Sequence, residues 1–184
     1  VYKAQRLMDD MIDIEVEQID SILSKIDADP EDASTKAIEL ELWTKIKSQA
    51  LRGRRTGLGI TGLGDTLALL GIQYGSEASI DEVERISRWV ASYAYMSSMM
   101  MAKERGSFEV HDAALEEEHP FLARIFDAID EMSESDTIRS LPYKARQMNQ
   151  RWGRRNISIT TTAPAGSVSV LTQTTSGIEP AYML

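Results

Sequence analysis

Apolar residues recur at helical spacing from the start of the chain. Met8, Met11, Ile12, Ile19, Ile22, Leu23 and Ile26 share one face, which predicts an amphipathic helix over residues 1–27. Asp9, Asp10, Asp13, Glu15, Glu17 and Asp20 are interleaved with them. These carboxylates can be read as metal ligands, but a solvated helix face needs no ion and is the expected reading. DADPEDAS (27–34) predicts a loop from its proline and its acidic and small residues. A second helix follows, with Ile38, Leu42, Trp43, Ile46 and Leu51 on one face.

The glycine-rich stretch 51–76 predicts a short helix beginning between Gly62 and Asp65 and carrying Leu63, Thr66, Leu67 and Leu70. Gly71 and Gly75 end it and turn the chain. Ser79 and Glu82 have the spacing of a capping box. They predict the start of a long helix that runs to Arg105, is closed by Gly106, and is lined by Ile80, Val83, Ile86, Val90, Tyr93, Met96 and Met100. Pro120 suits the first turn of another helix, whose apolar face is Phe121, Leu122, Ile125, Phe126 and Ile129. SESD (133–136) is a polar break, and Pro142 opens a shorter helix that Gly153 ends. From Asn156 to Thr162 the period changes to alternation, Ile157 and Ile159 against Ser158 and Thr160, which predicts a strand.

Composition narrows the function. The chain has 184 residues, 42% hydrophobic and 27% charged, as expected of a globular protein with a core. No apolar run approaches the ~20 residues of a membrane span. No basic-then-apolar leader opens the sequence, so a cytoplasmic protein with no membrane association is expected. The net charge of −9 argues against a nucleic-acid surface, though a few backbone amides suffice for one small anion pocket. There is no cysteine, so disulfides, cysteine-bound zinc and thiol catalysis within the segment are excluded.

Four candidate sites stand out. Gly57-x-Gly59-x-x-Gly62 has the spacing of a dinucleotide loop, but Arg52-Gly53-Arg54-Arg55 precedes it where a buried strand is required. A tight turn that lets a helix approach a neighbour closely is the better reading, and Arg54 and Arg55 are expected in surface or interdomain ion pairs. His111 and His119 lack partners at metal-ligand spacing, and Glu116-Glu117-Glu118-His119 predicts an exposed loop, so no metal site is expected. Met96, Met99, Met100 and Met101 read as core filling. The fourth is Ala163-Pro164-Ala165-Gly166-Ser167, between the predicted strand and Val168, Val170 and Leu171, where a short helix starts. A strand, a small-residue turn and a helix N-terminus form a ready anion site. The pattern alone leaves two readings open, a phosphate-holding turn and a Ser-capped helix with no ligand.

DDMID (9–13), RRTGLGITGLGDTLALLGIQYGS (54–76), AKERGSF (102–108) and RNISITTTAPAGSVSVLTQTTSGIEP (155–180) resemble the catalytic chain of ribonucleotide reductases, most closely the adenosylcobalamin-dependent class II branch. The resemblance implies a mainly helical piece of an α/β fold, the ten-stranded barrel of that family, with strand character near the C-terminus. It implies an internal segment of the catalytic barrel domain: a helical pair (1–51), a Gly-rich turn and helices (52–153), and a strand, phosphate loop and GIEP segment (154–184). The implied function is reduction of ribonucleoside di- or triphosphates for DNA precursor synthesis by thiyl-radical chemistry. The substrate phosphates would be held by Ala165, Gly166, Ser167, Val168 and Ser169.

The implied partners are the ribonucleotide, the remainder of the parent chain and a thiol reductant such as thioredoxin, with a homodimer as a candidate assembly. Two departures matter. Ala165 stands where the family usually has threonine, and the family's Asn-x-Cys-x-Glu finger loop and redox cysteines are absent, so no catalytic residue is expected in this segment. The rival readings are a class I large-subunit segment and a non-catalytic helical interaction module.

Overall fold

The computed structural model describes residues 1–134 and 141–180. Among them are eight helices: α1 (Tyr2–Ala28), α2 (Ala33–Gly53), α3 (Leu63–Leu69), α4 (Glu77–Arg105), α5 (Ala113–Glu117), α6 (Pro120–Glu134), α7 (Ala145–Trp152) and α8 (Gly166–Thr172). No described helix is long and apolar enough to cross a membrane.

α1 and α2 form an antiparallel pair across a four-residue turn. Asp32 closes that turn by accepting from the amides of Ser34 and Thr35 at the start of α2. α1 also packs on the C-terminal half of α4, and α6 and α7 cover α4 from another side. The core lies there: Tyr95, Met96 and Met99 of α4 meet Leu122, Ile125, Phe126 and Ile129 of α6, Met148 of α7, and Ile159. Met99 and Met101 are fully buried, as their reading as core residues requires. The buried face of α4 is also rich in small polar residues, since Ser92, Ser97 and Ser98 are buried with Ala94. They let other segments approach the helix closely, and Ser97 Oγ donates to the carbonyl of Tyr2 at 2.9 Å.

Several expectations shift. The alternating segment 156–162 is not a strand: among the described residues the β pairing is one isolated parallel bridge, Leu58 to Thr160. The amide of Ile157 bonds the carbonyl of Gly53, and those of Thr56 and Leu58 bond the carbonyls of Ser158 and Ile159. The pairing ends where Pro164, without an N–H, follows on one side and the glycine turn departs on the other. α4 is capped by Ser76, whose hydroxyl accepts from the Ser79 amide, three residues before the predicted cap, and Glu82 pairs with Arg85 instead. α7 starts at Ala145, whose amide is held by Asp130, and not at Pro142. α6 continues through Glu134, and the remainder of the predicted break at 133–136 lies outside the described residues. On α2, Ile38, Leu42 and Leu51 are exposed, because α1 covers only part of its circumference.

Candidate functional site

The turn before α8 is held from two sides. Upstream, the Leu58–Thr160 bridge and the Thr161 amide on the carbonyl of Leu58 (3.0 Å) fix the approach. Downstream, the amide of Ala165 donates to the carbonyl of Ser176 at 2.9 Å. Gly166 then begins α8 with Ala165 as its N-cap, a residue without a side chain able to cap. The first amides of a helix have no carbonyl one turn earlier. At Gly166, Ser167 and Val168 no side chain replaces it, and all three residues are exposed.

The five residues of the candidate loop therefore divide. Gly166, Ser167 and Val168 present amides that no helix carbonyl or cap takes up. The Ala165 amide is engaged by Ser176, and the Ser169 amide by the carbonyl of Ala165 at 2.8 Å. Ser169 is buried, and its hydroxyl turns back onto the carbonyl of Gly166. A Cβ added to Gly166 would meet nothing within 4 Å, so the backbone there is open to close approach.

The glycine run supplies the downstream seat. The amides of Gly62 and Leu63, at the start of α3, donate to the carbonyls of Thr175 and Gly177, and Asp65 accepts from the Thr175 amide at 2.7 Å. These donors serve the chain itself and not a dinucleotide. Gly62 has φ +71°, and a Cβ on Gly64 would lie 2.4 Å from the carbonyl oxygen of Glu179. The turn reading of this motif holds, and the neighbours it admits are Thr161, against Gly57 and Gly59, and the segment 174–180, against Gly62 and Gly64.

The upstream approach is held by a buried polar network that the charge pattern concealed. Asp9 is 0% exposed, not part of a solvated face. Its Oδ1 accepts from Arg54 Nε and from Asn156 Nδ2, both at 2.8 Å, and its Oδ2 from Arg155 Nε at 3.3 Å. Arg54 is in an ion pair, but a buried one within the fold and not at its surface, and it spans Asp9 and Asp13. Asn156 Nδ2 also reaches the carbonyl of Arg54, while its Oδ1 accepts from Ser98 Oγ and Gln5 Nε2. Burial pushes the Asp9 carboxyl up, but Arg54, Asn156 and Arg155 outweigh it and hold the group below the usual carboxylate range.

Asp9, Asp10 and Asp13 lie close enough together to share a cation. Arg54 and Arg105 already occupy that position, which leaves a neutralised cluster and not an ion site. A signal for the network was present in the sequence. Gln5 and Asp9 continue, at i and i+4, the buried stripe of Ile12, Ile19 and Ile26.

Residues 31–184 match the family model of the ribonucleotide reductase barrel domain. The chain belongs to the ribonucleotide reductase barrel-domain family. It is 31% identical over 131 residues to a vitamin B12-dependent ribonucleoside-diphosphate reductase of Mycobacterium tuberculosis, covering 71% of this chain. It is 29% identical over 145 residues to a ribonucleoside-diphosphate reductase subunit alpha of Chlamydia pneumoniae, covering 74% of this chain. A vitamin B12-dependent ribonucleoside-diphosphate reductase of Thermoplasma acidophilum is 24% identical over 140 residues. The chain spans about 14% of the length of these relatives.

This ribonucleotide reductase segment carries a second buried ion cluster beside the first. Arg154 donates to Glu116 from Nε and Nη2, at 3.0 and 2.5 Å, and to the carbonyls of Asn156 and Ile157 from Nη1. Its guanidinium lies over the rings of Tyr95 and Phe108 at 5.5 and 5.6 Å. Glu116 is therefore buried in α5, where the sequence suggested an exposed loop. His111 Nε2 stands 3.3 Å from Glu116 Oε2, without the alignment of a hydrogen bond. His119 lies edge-on to Phe121.

Proposed function

We propose that this chain is the substrate-phosphate segment of a ribonucleoside-diphosphate reductase. The parent enzyme would replace the ribose 2′-hydroxyl with hydrogen, a dithiol giving two electrons and two protons while water leaves. This chain has no cysteine, so the thiyl radical and the dithiol would come from other parts of the parent. Its own share is positioning. The amides of Gly166, Ser167 and Val168 would donate to phosphate oxygens at the start of α8, with Ser167 Oγ as a further donor. Ala165 would act through its place in the turn, and Ser169 by closing the first turn of the helix onto Gly166.

The observation that carries this reading is an uncapped helix start, tethered on both sides, within the stretch that matches the family. Backbone donors in a fixed array bind an anion with little reorganisation, and a net charge of −9 on the chain does not prevent a local site of this kind. Diphosphate substrates are favoured by the names of the relatives, and the class II reading by the vitamin B12-dependent ones among them. The relatives named subunit alpha favour the class I alternative.

Adenosylcobalamin would serve the parent as a radical source. The described residues do not fit it: His111 stands against Glu116, and the cavity of about 340 Å³ beside His119 is lined by Glu116, Phe121 and Arg154 and is too small for a corrin. In the parent the cofactor would be held outside this segment.

Titration with a nucleoside diphosphate, followed through amide chemical shifts, tests the site. The shifts are expected to centre on Gly166, Ser167 and Val168. Gly166→Ala should leave the fold intact, since its Cβ meets nothing, yet weaken binding by about tenfold or more where a phosphate must approach the backbone. A flat response in the complete polypeptide removes the phosphate role and favours a non-catalytic helical module.

A further inference from the structure

Asp9 sits in the first third of α1, 0% exposed, at the meeting point of four elements. Arg54 comes from the end of α2, Arg105 from the end of α4, and Arg155 and Asn156 from the segment that leads to the turn. Such clusters are an inefficient way to hold helices together. Desolvating the charges offsets most of their attraction, and well-packed apolar side chains of similar volume often serve stability as well or better. What charged, directional contacts add over apolar ones is a single register.

Register is what this cluster controls. Asp9 Oδ1 is shared by Arg54 and Asn156, and Asn156 in turn donates to the backbone carbonyl of Arg54 at 3.0 Å. The two chain segments that pair further on are thus locked side by side before the pairing begins. Gln5 extends the lock by one pair, through Nε2 on Thr56 Oγ1 at 2.9 Å, and Thr56 Oγ1 reaches the carbonyl of Ser158. Ser98 of α4 holds the amides of Arg155 and Asn156 from behind. Two residues past Ser158 comes the Leu58–Thr160 bridge, and five residues later Ala165.

We infer that Asp9 is a positioning residue for the turn at Ala165–Ser169: it fixes the register of 154–161 against 54–58, and so where the α8 amides stand. The inference rests on the phosphate reading for its purpose and on the network alone for its geometry. A slip of one residue along extended backbone moves the chain about 3.3 Å and turns each side chain to the other face. A displacement of that size exceeds the whole tolerance of a hydrogen bond. Between 53–58 and 157–161 the backbone makes four hydrogen bonds and one bridge in place of a continuous ladder, and the Asp9 network adds side-chain resistance to the slip at their upstream end. The downstream anchor at Gly62, Leu63 and Asp65 shares no side chain with the network, so the two ends of the loop can be released separately.

The test compares Asp9→Asn and Asn156→Ala with the unchanged protein in the complete polypeptide. Asp9→Asn weakens the pull on Arg54, Arg105 and Arg155. Asn156→Ala keeps the Asp9–Arg54 and Asp9–Arg155 pairs and removes the side-chain bonds of Asn156 to Asp9, Gln5, Ser98 and the Arg54 carbonyl, which keeps the test decisive if the first variant does not fold. Backbone amide exchange is expected to speed up about tenfold or more at Ile157, Thr161 and Ala165, with little change at Leu63 and Thr175. The dissociation constant for inorganic pyrophosphate, measured calorimetrically, should rise by about tenfold. Exchange that quickens equally at both anchors, or not at all at 157–165, overturns the inference, because a merely structural residue gives the first pattern and an idle one the second. If the unchanged protein does not bind pyrophosphate, the phosphate reading fails, and the exchange pattern still decides the role of Asp9.

Discussion

At the scale of single residues, burial and partners override residue type. Glu116 shows this most sharply. Burial pushes its carboxyl up, but the adjacent His111 and Arg154 outweigh it and hold the group at about 2, below the ordinary 4.5. A carboxylate whose value is depressed on folding stabilises the native state above its unfolded value, and that contribution is lost as pH falls through the folded value. The loss therefore falls between about pH 4.5 and 2 and is on the order of 3 kcal/mol. Glu116→Gln is expected to flatten that limb of a stability-against-pH curve measured by urea unfolding, at the cost of lower stability at neutral pH. Gly64 makes a second residue-scale prediction. Its added Cβ would meet backbone atoms of Glu179 and Pro180 that cannot swing aside. Gly64→Ala should cost about 1–3 kcal/mol in thermal unfolding and speed amide exchange at Thr175. The family motif made the glycines conspicuous in the sequence. What they admit, Thr161 and the returning segment 174–180, was not legible, because a glycine shows only that something comes close.

At the scale of elements, helical periodicity was a good guide to existence and a poorer one to ends. α1, α3, α4 and α6 lie close to where the apolar spacing places them, since that spacing is set by the helix itself. The start of α4 differs because two serines compete for the cap, and the turn at Gly75, with φ +84°, presents Ser76 first. Ser76→Ala is expected to destabilise the protein by about 1 kcal/mol, whereas Glu82→Ala, which removes only a surface pair with Arg85, should change the unfolding midpoint little. The alternation at 156–162 was misleading for a physical reason. A period of two reports that opposite faces differ in environment, and 154–161 meets that condition by lying between the core at Ile159 and the polar network at Asn156. A strand also needs neighbours along its whole length, and here one partner supplies a single bridge.

At the scale of the whole molecule, the core is concentrated where α4 meets α6 and α7, while the surroundings of the turn are open. Ile159 is 1% exposed and Leu171, on α8, is 84% exposed. Ile159→Ala is expected to cost about 2–5 kcal/mol, and Leu171→Ser to stay within about 0.5 kcal/mol, both read from thermal unfolding of the 184-residue chain. A larger loss at Leu171 would mean that α8 is covered in solution. By itself the sequence determined the helices other than α5, the absence of a thiol within this segment, the turn at the glycine run and membership of the ribonucleotide reductase family. Those properties are written in local spacing, in composition and in contiguous motifs. Only the tertiary structure decided that Asp9 is buried, that Arg54 and Asn156 share one of its oxygens, and that Gly166, Ser167 and Val168 are left uncapped while Ser169 is not. Asp9 and Asn156 are 147 positions apart, and no periodicity along the chain carries information about a hydrogen bond made across that distance.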